Sequence, residues 1–163
     1  MVLDSSAVLA ILFDESERPA FTNAIESDPR RLMSAANLLE AALVVEARRG
    51  EPAGRELDLL LHRAEVKIVS VDADQVEVAR SAWRRYGKGH HPAGLNFGDC
   101  FAYALATTTG EPLLFKGEDF GQTDLARAGK GPSRDLQASA AGRSGRSDIS
   151  ENIEEIIASE LDT

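Results

Sequence analysis

Met1-Val2-Leu3-Asp4-Ser5-Ser6-Ala7-Val8-Leu9-Ala10-Ile11-Leu12-Phe13 is the stretch on which the fold turns. Met1–Asp4 is short and apolar and reads as a strand that stops at a carboxylate. Ser5 and Ser6 can cap the helix predicted from Ala7 to Phe13. Asp4 itself has two readings: an N-cap, or a ligand group at the carboxyl end of a strand, where open parallel sheets bind their ligands. Working outward, Arg18–Glu26 has a helical pattern and Arg31–Ser34 reads as a short strand. Ala35–Arg49 is rich in Ala, Leu and Glu, with Arg48 and Arg49 in its last turn and Gly50 beyond it, so it reads as a helix. A further helix follows from Pro52 to Arg63. Val66–Val71 is β-branched and short, the clearest strand pattern in the chain. Asp72 opens a helix to about Tyr86, Gly87–Gly94 is a loop, and Gly98–Thr109 is helical. Pro112–Phe115 is the last buried strand, Gly117 turns the chain, and a short helix starts near Thr123. Strands alternating with helices predict an α/β layer fold on a parallel sheet with right-handed crossovers.

Composition bounds the class. The 163 residues suit one domain with an appendage, and 43% apolar against 28% charged residues excludes wholesale disorder. The single cysteine, Cys100, leaves no internal disulfide and no cysteine-based zinc site. No apolar run is long enough for a membrane helix, and no basic secretory pattern precedes Asp4. A soluble cytoplasmic protein is expected. The net charge of −9 argues against a binder that holds nucleic acid by a generally basic surface. Four acids assigned below to one site account for much of the excess in residues 1–128, so acidity does not exclude a nucleic-acid substrate.

Composition shifts after Ala128. Residues 1–128 are expected to form the folded domain. Gly129–Ser147 is rich in Gly, Ser, Ala and Arg and reads as a flexible linker. Residues 148–163 form an acidic amphipathic segment, with Ile149, Ile153, Ile156, Ile157 and Leu161 at helical spacing. A helix of that length is marginal alone in water, so it docks or frays.

The informative acids are those standing where apolar residues belong. Glu40 lies among Ala36, Asn37, Leu43 and Val44 on the apolar face of its helix. A charge buried there costs several kcal/mol unless compensated. The alternative is a rim position or a partner such as Arg84. Asp99 heads the apolar helix of Cys100, Phe101 and Ala102, where an N-cap or first-turn role is the default. Asp119 follows the last strand on the same edge as Asp4, and a turn role suits it too. Glu118 is its companion. Taken together, two strand ends and two apolar-faced helices deliver carboxylates to one edge of one sheet. Such a group repels itself unless a cation is present. An all-oxygen donor set suits a hard ion, Mg²⁺ or Mn²⁺, acting on phosphate. His90 and His91 lack helical i, i+4 spacing, which argues against zinc.

Val2-Leu3-Asp4-Ser5-Ser6-Ala7, Asn37-Leu38-Leu39-Glu40, Leu95-Asn96-Phe97-Gly98-Asp99-Cys100-Phe101-Ala102 and Pro112-Leu113-Leu114-Phe115-Lys116-Gly117-Glu118-Asp119-Phe120, with Thr123-Asp124, together resemble the PIN-domain ribonucleases, VapC-type toxins of toxin–antitoxin pairs. The resemblance covers about residues 1–127. It implies a three-layer fold with a central, mainly parallel sheet, and metal-dependent hydrolysis of RNA phosphodiesters leaving a 5′-phosphate and a 3′-hydroxyl. The family's metal-binding acids fall by motif on Asp4, Glu40, Asp99 and Asp119, and its supporting hydroxyl on Ser6. Glu118 departs from the small polar residue expected there and adds a ligand or only charge. Leu125–Ala128 is thin for the family's last strand, and residues 129–163 have no counterpart in its pattern. The resemblance further implies a small VapB-type antitoxin that covers the acidic pocket with an Arg or Lys, and a homodimer.

RNA needs a positive approach. Arg84, Arg85, Lys88, His90 and His91 cluster before the Asp99 motif, with Tyr86 for base stacking and Lys116 beside the acids. The plainer account is a solvated helix end with cations favoured by its dipole. The acidic C-terminal segment can be imagined lying along Arg84–Lys88 and restraining RNA entry. Two rival classes stand beside the nuclease. One is a receiver-like module accepting phosphate on Asp72, with Lys116 after the last strand; it leaves Glu40 unexplained. The other is a non-catalytic interaction domain whose acids are caps and surface.

Overall fold

The computed structural model describes residues 1–129; the expected linker beyond Gly129 and the acidic segment at 148–163 lie outside the described residues. Four parallel strands, β1 (Val2–Leu3), β2 (Leu32–Ser34), β3 (Lys67–Val69) and β4 (Leu113–Leu114), form one sheet in the order β3-β2-β1-β4. Six helices cover it: α1 (Ser5–Leu12), α2 (Arg18–Ser27), α3 (Ala35–Arg49), α4 (Glu51–Arg63), α5 (Ala73–Tyr86) and α6 (Phe97–Thr109). Among the described residues no helix is long and apolar enough to cross a membrane.

Side chains alternate across a strand, and here that alternation divides the core. Val2, Leu32 and Leu113 face one layer, packing with Ala82 of α5 and Ala102, Tyr103 and Leu105 of α6. Leu3, Met33 and Leu114 face the other, packing with Val8, Ile11, Phe21, Ala41, Leu57 and Leu61 of α1 to α4. Because each central strand is buried on both faces, its sequence is continuously apolar rather than alternating. Leu105 is fully buried at the centre of the first layer. Leu105→Ala is expected to cost about 2–5 kcal/mol of folding stability, read as a lowered denaturant midpoint at unchanged slope.

The elements depart from the sequence expectation where distant partners decide. The Val66–Val71 strand shortens to Lys67–Val69 and is an edge, with Lys67 and Ile68 exposed, because only β2 flanks it. A lysine there suits an edge that must not pair with another chain. Asp72 caps α5 by accepting from the Gln75 N–H at 2.8 Å and follows β3, with β2 between it and β1, so it does not follow a strand beside β1 as Asp119 does. The helix expected near Thr123 is instead a 3₁₀ turn at Asp119–Gln122. The thin segment after Asp124 does reach the sheet, but as a single parallel bridge between Arg127 and Leu113. Gly50, at φ +80°, both ends α3 and begins α4, a left-handed conformation that a side chain would strain.

This strand order fixes where a ligand can bind. From β1 the chain passes to β2 and β3 on one side, while β4 lies on the other. The crevice at the carboxyl ends of β1 and β4 is therefore a topological switch point, where doubly wound sheets bind ligands. Asp4 follows β1 and Asp119 follows β4.

Candidate active site

Asp4 is 2% exposed and caps α1. Its Oδ2 accepts from the Ser6 N–H at 3.0 Å and from the Ser6 hydroxyl. The expected cap, Ser5 or Ser6, therefore yields to Asp4, whose N-cap reading holds. Its Oδ1 is buried with no hydrogen-bond partner. Burial pushes the Asp4 carboxyl above the usual carboxylate range; the Ser6 and Ser5 hydrogen bonds oppose that, and the nearby charge of Asp119 adds to it. The Ser6 hydroxyl also accepts the Lys116 N–H at 3.0 Å, tying the end of β1 to the segment after β4.

Glu40 projects from α3 toward the same crevice. Its Oε2 accepts from the Ser5 hydroxyl at 2.6 Å and more weakly from the Asn37 amide at 3.4 Å. The same Asn37 amide donates to the Gly98 carbonyl at 3.0 Å, joining α3 to the start of α6. Glu40 lies directly over Gly98: a Cβ there would stand 2.4 Å from both carboxylate oxygens. Asp99, next to Gly98, is 9% exposed. Its Oδ2 accepts from the Asn96 N–H at 2.8 Å while Asn96 Oδ1 accepts the Asp99 N–H at 2.9 Å, a reciprocal capping box. Asp119 is half-buried at the head of the 3₁₀ turn, and Glu118 beside it is exposed.

Glu40 is thus tied to Ser5, next to Asp4, and to Asn37 and Gly98, next to Asp99, while the charge of Asp119 is near enough to act on Asp4. The four acids are not drawn into a closed shell: among the described residues no three His, Cys, Asp or Glu side chains sit close enough to hold a metal as they stand. The donor chemistry nevertheless fits a hard divalent ion. Every candidate is a carboxylate, and a buried carboxylate oxygen with no donor is costly unless something positive meets it.

The basic residues fare differently. Arg84, Lys88 and His90 are exposed, His90 edge-on to Trp83 with ring centroids 5.7 Å apart. Arg85 is held by Asp124 at 3.2 Å and by the Tyr86 hydroxyl at 2.6 Å. Tyr86, expected as a stacking platform, is 8% exposed and packed edge-on against His91 and at a tilt against Tyr103, so its faces are not offered to a base. The Lys116 ammonium turns to Glu15, and to Glu17 at 3.5 Å, rather than to the crevice. Its hydrogen bond to Glu15 holds its pKa above the usual lysine value.

Ser5, Asn37 and Gly98 are site neighbours that sequence reading passed over. Ser5 resembles any capping serine. Asn37 left a usable signal, an amide on an apolar helix face three residues before a half-buried acid. Gly98 showed only as a glycine near a helix start.

A family model described as the PIN domain matches residues 1–125. Ribonuclease VapC30 of Mycobacterium tuberculosis is 62% identical over 126 residues, covering 77% of this chain and 96% of that protein. Among solved structures, the fold is similar to VapC20 of Mycobacterium tuberculosis, a sarcin–ricin-loop-cleaving toxin, with a TM-score of 0.66 at 18% identity over 79% of this chain and 98% of that one. It is also similar to a chain of VapBC2 from Rickettsia felis, solved on a promoter DNA fragment, with a TM-score of 0.60 at 15% identity over 77% of this chain and 94% of that one. The chain belongs to the PIN domain family. Within it, its sequence groups it with the VapC ribonucleases.

Proposed function

We propose that this chain is an endoribonuclease toxin that hydrolyses RNA with the help of Mg²⁺ or Mn²⁺ and is restrained by a VapB-type antitoxin. The observation that carries the metal reading is the buried, partnerless Oδ1 of Asp4 at the switch point, with the charge of Asp119 acting on it and Glu40 bonded to the adjacent Ser5. The VapC relatives support the reaction class, and the VapBC2 assembly supports an antitoxin partner. In this reading residues 1–128 are the nuclease, RNA is met in the cytoplasm, and the working form is a homodimer.

Asp4, Glu40, Asp99 and Asp119 would hold the ion, which when bound supplies Lewis acidity and counter-charge for the phosphoryl oxygens. The chain's own residues do the rest. Ser6 fixes one oxygen of Asp4 and leaves the other without a hydrogen-bond partner. Burial of Asp4 keeps bulk water from competing there. The Asn96–Asp99 capping box holds Asp99 at the head of α6. Arg84 and Lys88 draw the RNA backbone toward this edge despite the net charge. Exposed Leu39 and Phe97, next to Glu40 and Gly98, give an antitoxin an apolar rim to cover.

The test is cleavage of total RNA by purified wild type and Asp99→Asn, with Mn²⁺ or with EDTA, followed by end mapping. Wild type with Mn²⁺ should leave 5′-phosphate and 3′-hydroxyl ends, and both EDTA and Asp99→Asn should cut the rate by at least about 100-fold, more than loss of an outer-shell partner usually costs. Cleavage that survives EDTA, or persists in the variant, would overturn the reading.

A further inference from the structure

We propose that Ser5 is a positioning residue for Glu40, holding its carboxylate in the one orientation from which it can serve a cation in the crevice. The inference rests on the metal reading of the site.

Ser5 is 7% exposed, and its hydroxyl donates to Glu40 Oε2 at 2.6 Å, a short charge-assisted bond. Serine at a helix start ordinarily accepts from the backbone as a cap. Here that task belongs to Asp4, which accepts the Ser6 N–H. The Ser5 hydroxyl is therefore turned outward from its own helix, onto α3. The adjacent residue does the same for the other acid: the Ser6 hydroxyl donates to Asp4 Oδ2. Successive helical positions point about 100° apart, so one turn of α1 addresses two carboxylates arriving from two different elements. In both acids the hydroxyl meets one oxygen, and in Asp4 the second oxygen has no partner.

Two further neighbours bound the Glu40 carboxylate without fixing its rotamer. Asn37 is fully buried, and its stronger bond goes to the Gly98 carbonyl at 3.0 Å, so it clamps α3 to α6 and touches Glu40 only at 3.4 Å. Gly98 forms the floor beneath both carboxylate oxygens. Asn37 and Gly98 thus bound the space, and the short Ser5 bond favours one orientation of the carboxylate within it. A glutamate without that bond keeps rotamers that turn it away from Asp4. Hydrogen-bond partners of metal ligands act in this manner, and their loss typically costs ten- to a hundredfold in metal affinity.

The experiment is Mn²⁺ binding to the full-length protein without RNA, by titration calorimetry, for wild type, Ser5→Ala, Glu40→Gln and the double variant, with each melting temperature taken in EDTA. Ser5→Ala should bind Mn²⁺ about tenfold more weakly than wild type while its melting in EDTA changes little. On the Glu40→Gln background, Ser5→Ala should cause no further loss, because it acts through Glu40. A purely structural serine would lower melting and leave the Mn²⁺ constant of the folded protein unchanged. Wild-type Mn²⁺ affinity in Ser5→Ala, or an equal loss on both backgrounds, would overturn the proposal while impaired binding in Glu40→Gln leaves the metal reading standing. Wild-type binding in Glu40→Gln would overturn both.

Discussion

Asp4→Asn is expected to melt at or above wild type in EDTA, to gain almost nothing from Mn²⁺, and to lose more than about 100-fold in RNA cleavage, beyond what an outer-shell partner's loss costs. The stability half follows from burial. Asp4 is taken out of water beside Asp119 with one oxygen unpaired, so its ionised form is unfavourable in the metal-free fold. An amide keeps the shape and removes the charge. The sign of the pH dependence follows. The folded pKa of Asp4 is raised above the ordinary aspartate value of 3.8, so the metal-free fold binds more protons than the unfolded chain from about that pH upward. Its stabilising contribution is full below 3.8 and is lost as pH rises through the raised folded value. Melting in EDTA across that range should slope downward in wild type and less steeply in Asp4→Asn. Mn²⁺ binding should run the other way, strengthening with pH by up to about tenfold per unit while the ion displaces the proton. If Asp4→Asn melts well below wild type in EDTA and Mn²⁺ does nothing for wild type, Asp4 is only a helix cap.

Gly98→Ala separates stability from activity in the opposite sense. In an open helix, alanine in place of glycine stabilises by about 1 kcal/mol. At Gly98 the new methyl would lie 2.4 Å from both oxygens of Glu40 and 2.6 Å from its Cδ, which no side-chain contact tolerates. What it strikes, however, is the far end of a flexible side chain. Glu40 can swing away while the backbone of α3 and α6 stays put, so the fold survives and the site does not. The variant should keep its melting temperature within a few degrees and lose about 100-fold in cleavage, the scale of a displacement of about 1 Å at a reacting group. Adding Glu40→Ala should then cost little more, since both changes remove the same carboxylate. Wild-type cleavage by Gly98→Ala would mean that the position of Glu40 does not matter to the reaction.

The two substitutions act on groups that differ in how they could be read. Asp4 and Asp119 were visible because each terminates a short apolar strand, and a carboxylate at a strand's carboxyl end carries a local meaning before any packing is known. Glu40 was visible as a charge on an apolar helix face. Gly98 was not, because its significance is a distance to a side chain 58 positions earlier in the chain. Tyr86 and Lys116 failed for the same reason. Local composition put both among the cations of a candidate RNA surface, but Tyr103 and His91 bury the first, and Glu15 and Glu17 claim the second. The neighbours of a surface charge are chosen by the fold.

By itself, then, the amino-acid order determined the alternation of strands and helices, the parallel sheet, and which acids stand out of place, since these depend on periodicity and on residues within a turn or two of one another. Only the tertiary structure decided that Val66–Val71 is an edge, that Ser5 serves Glu40 rather than its own helix, and which oxygen of Asp4 is left unpaired. Those outcomes depend on what packs across from a residue, and a carboxylate's chemistry is set by its neighbours in space, whose places along the chain carry no mark of the meeting.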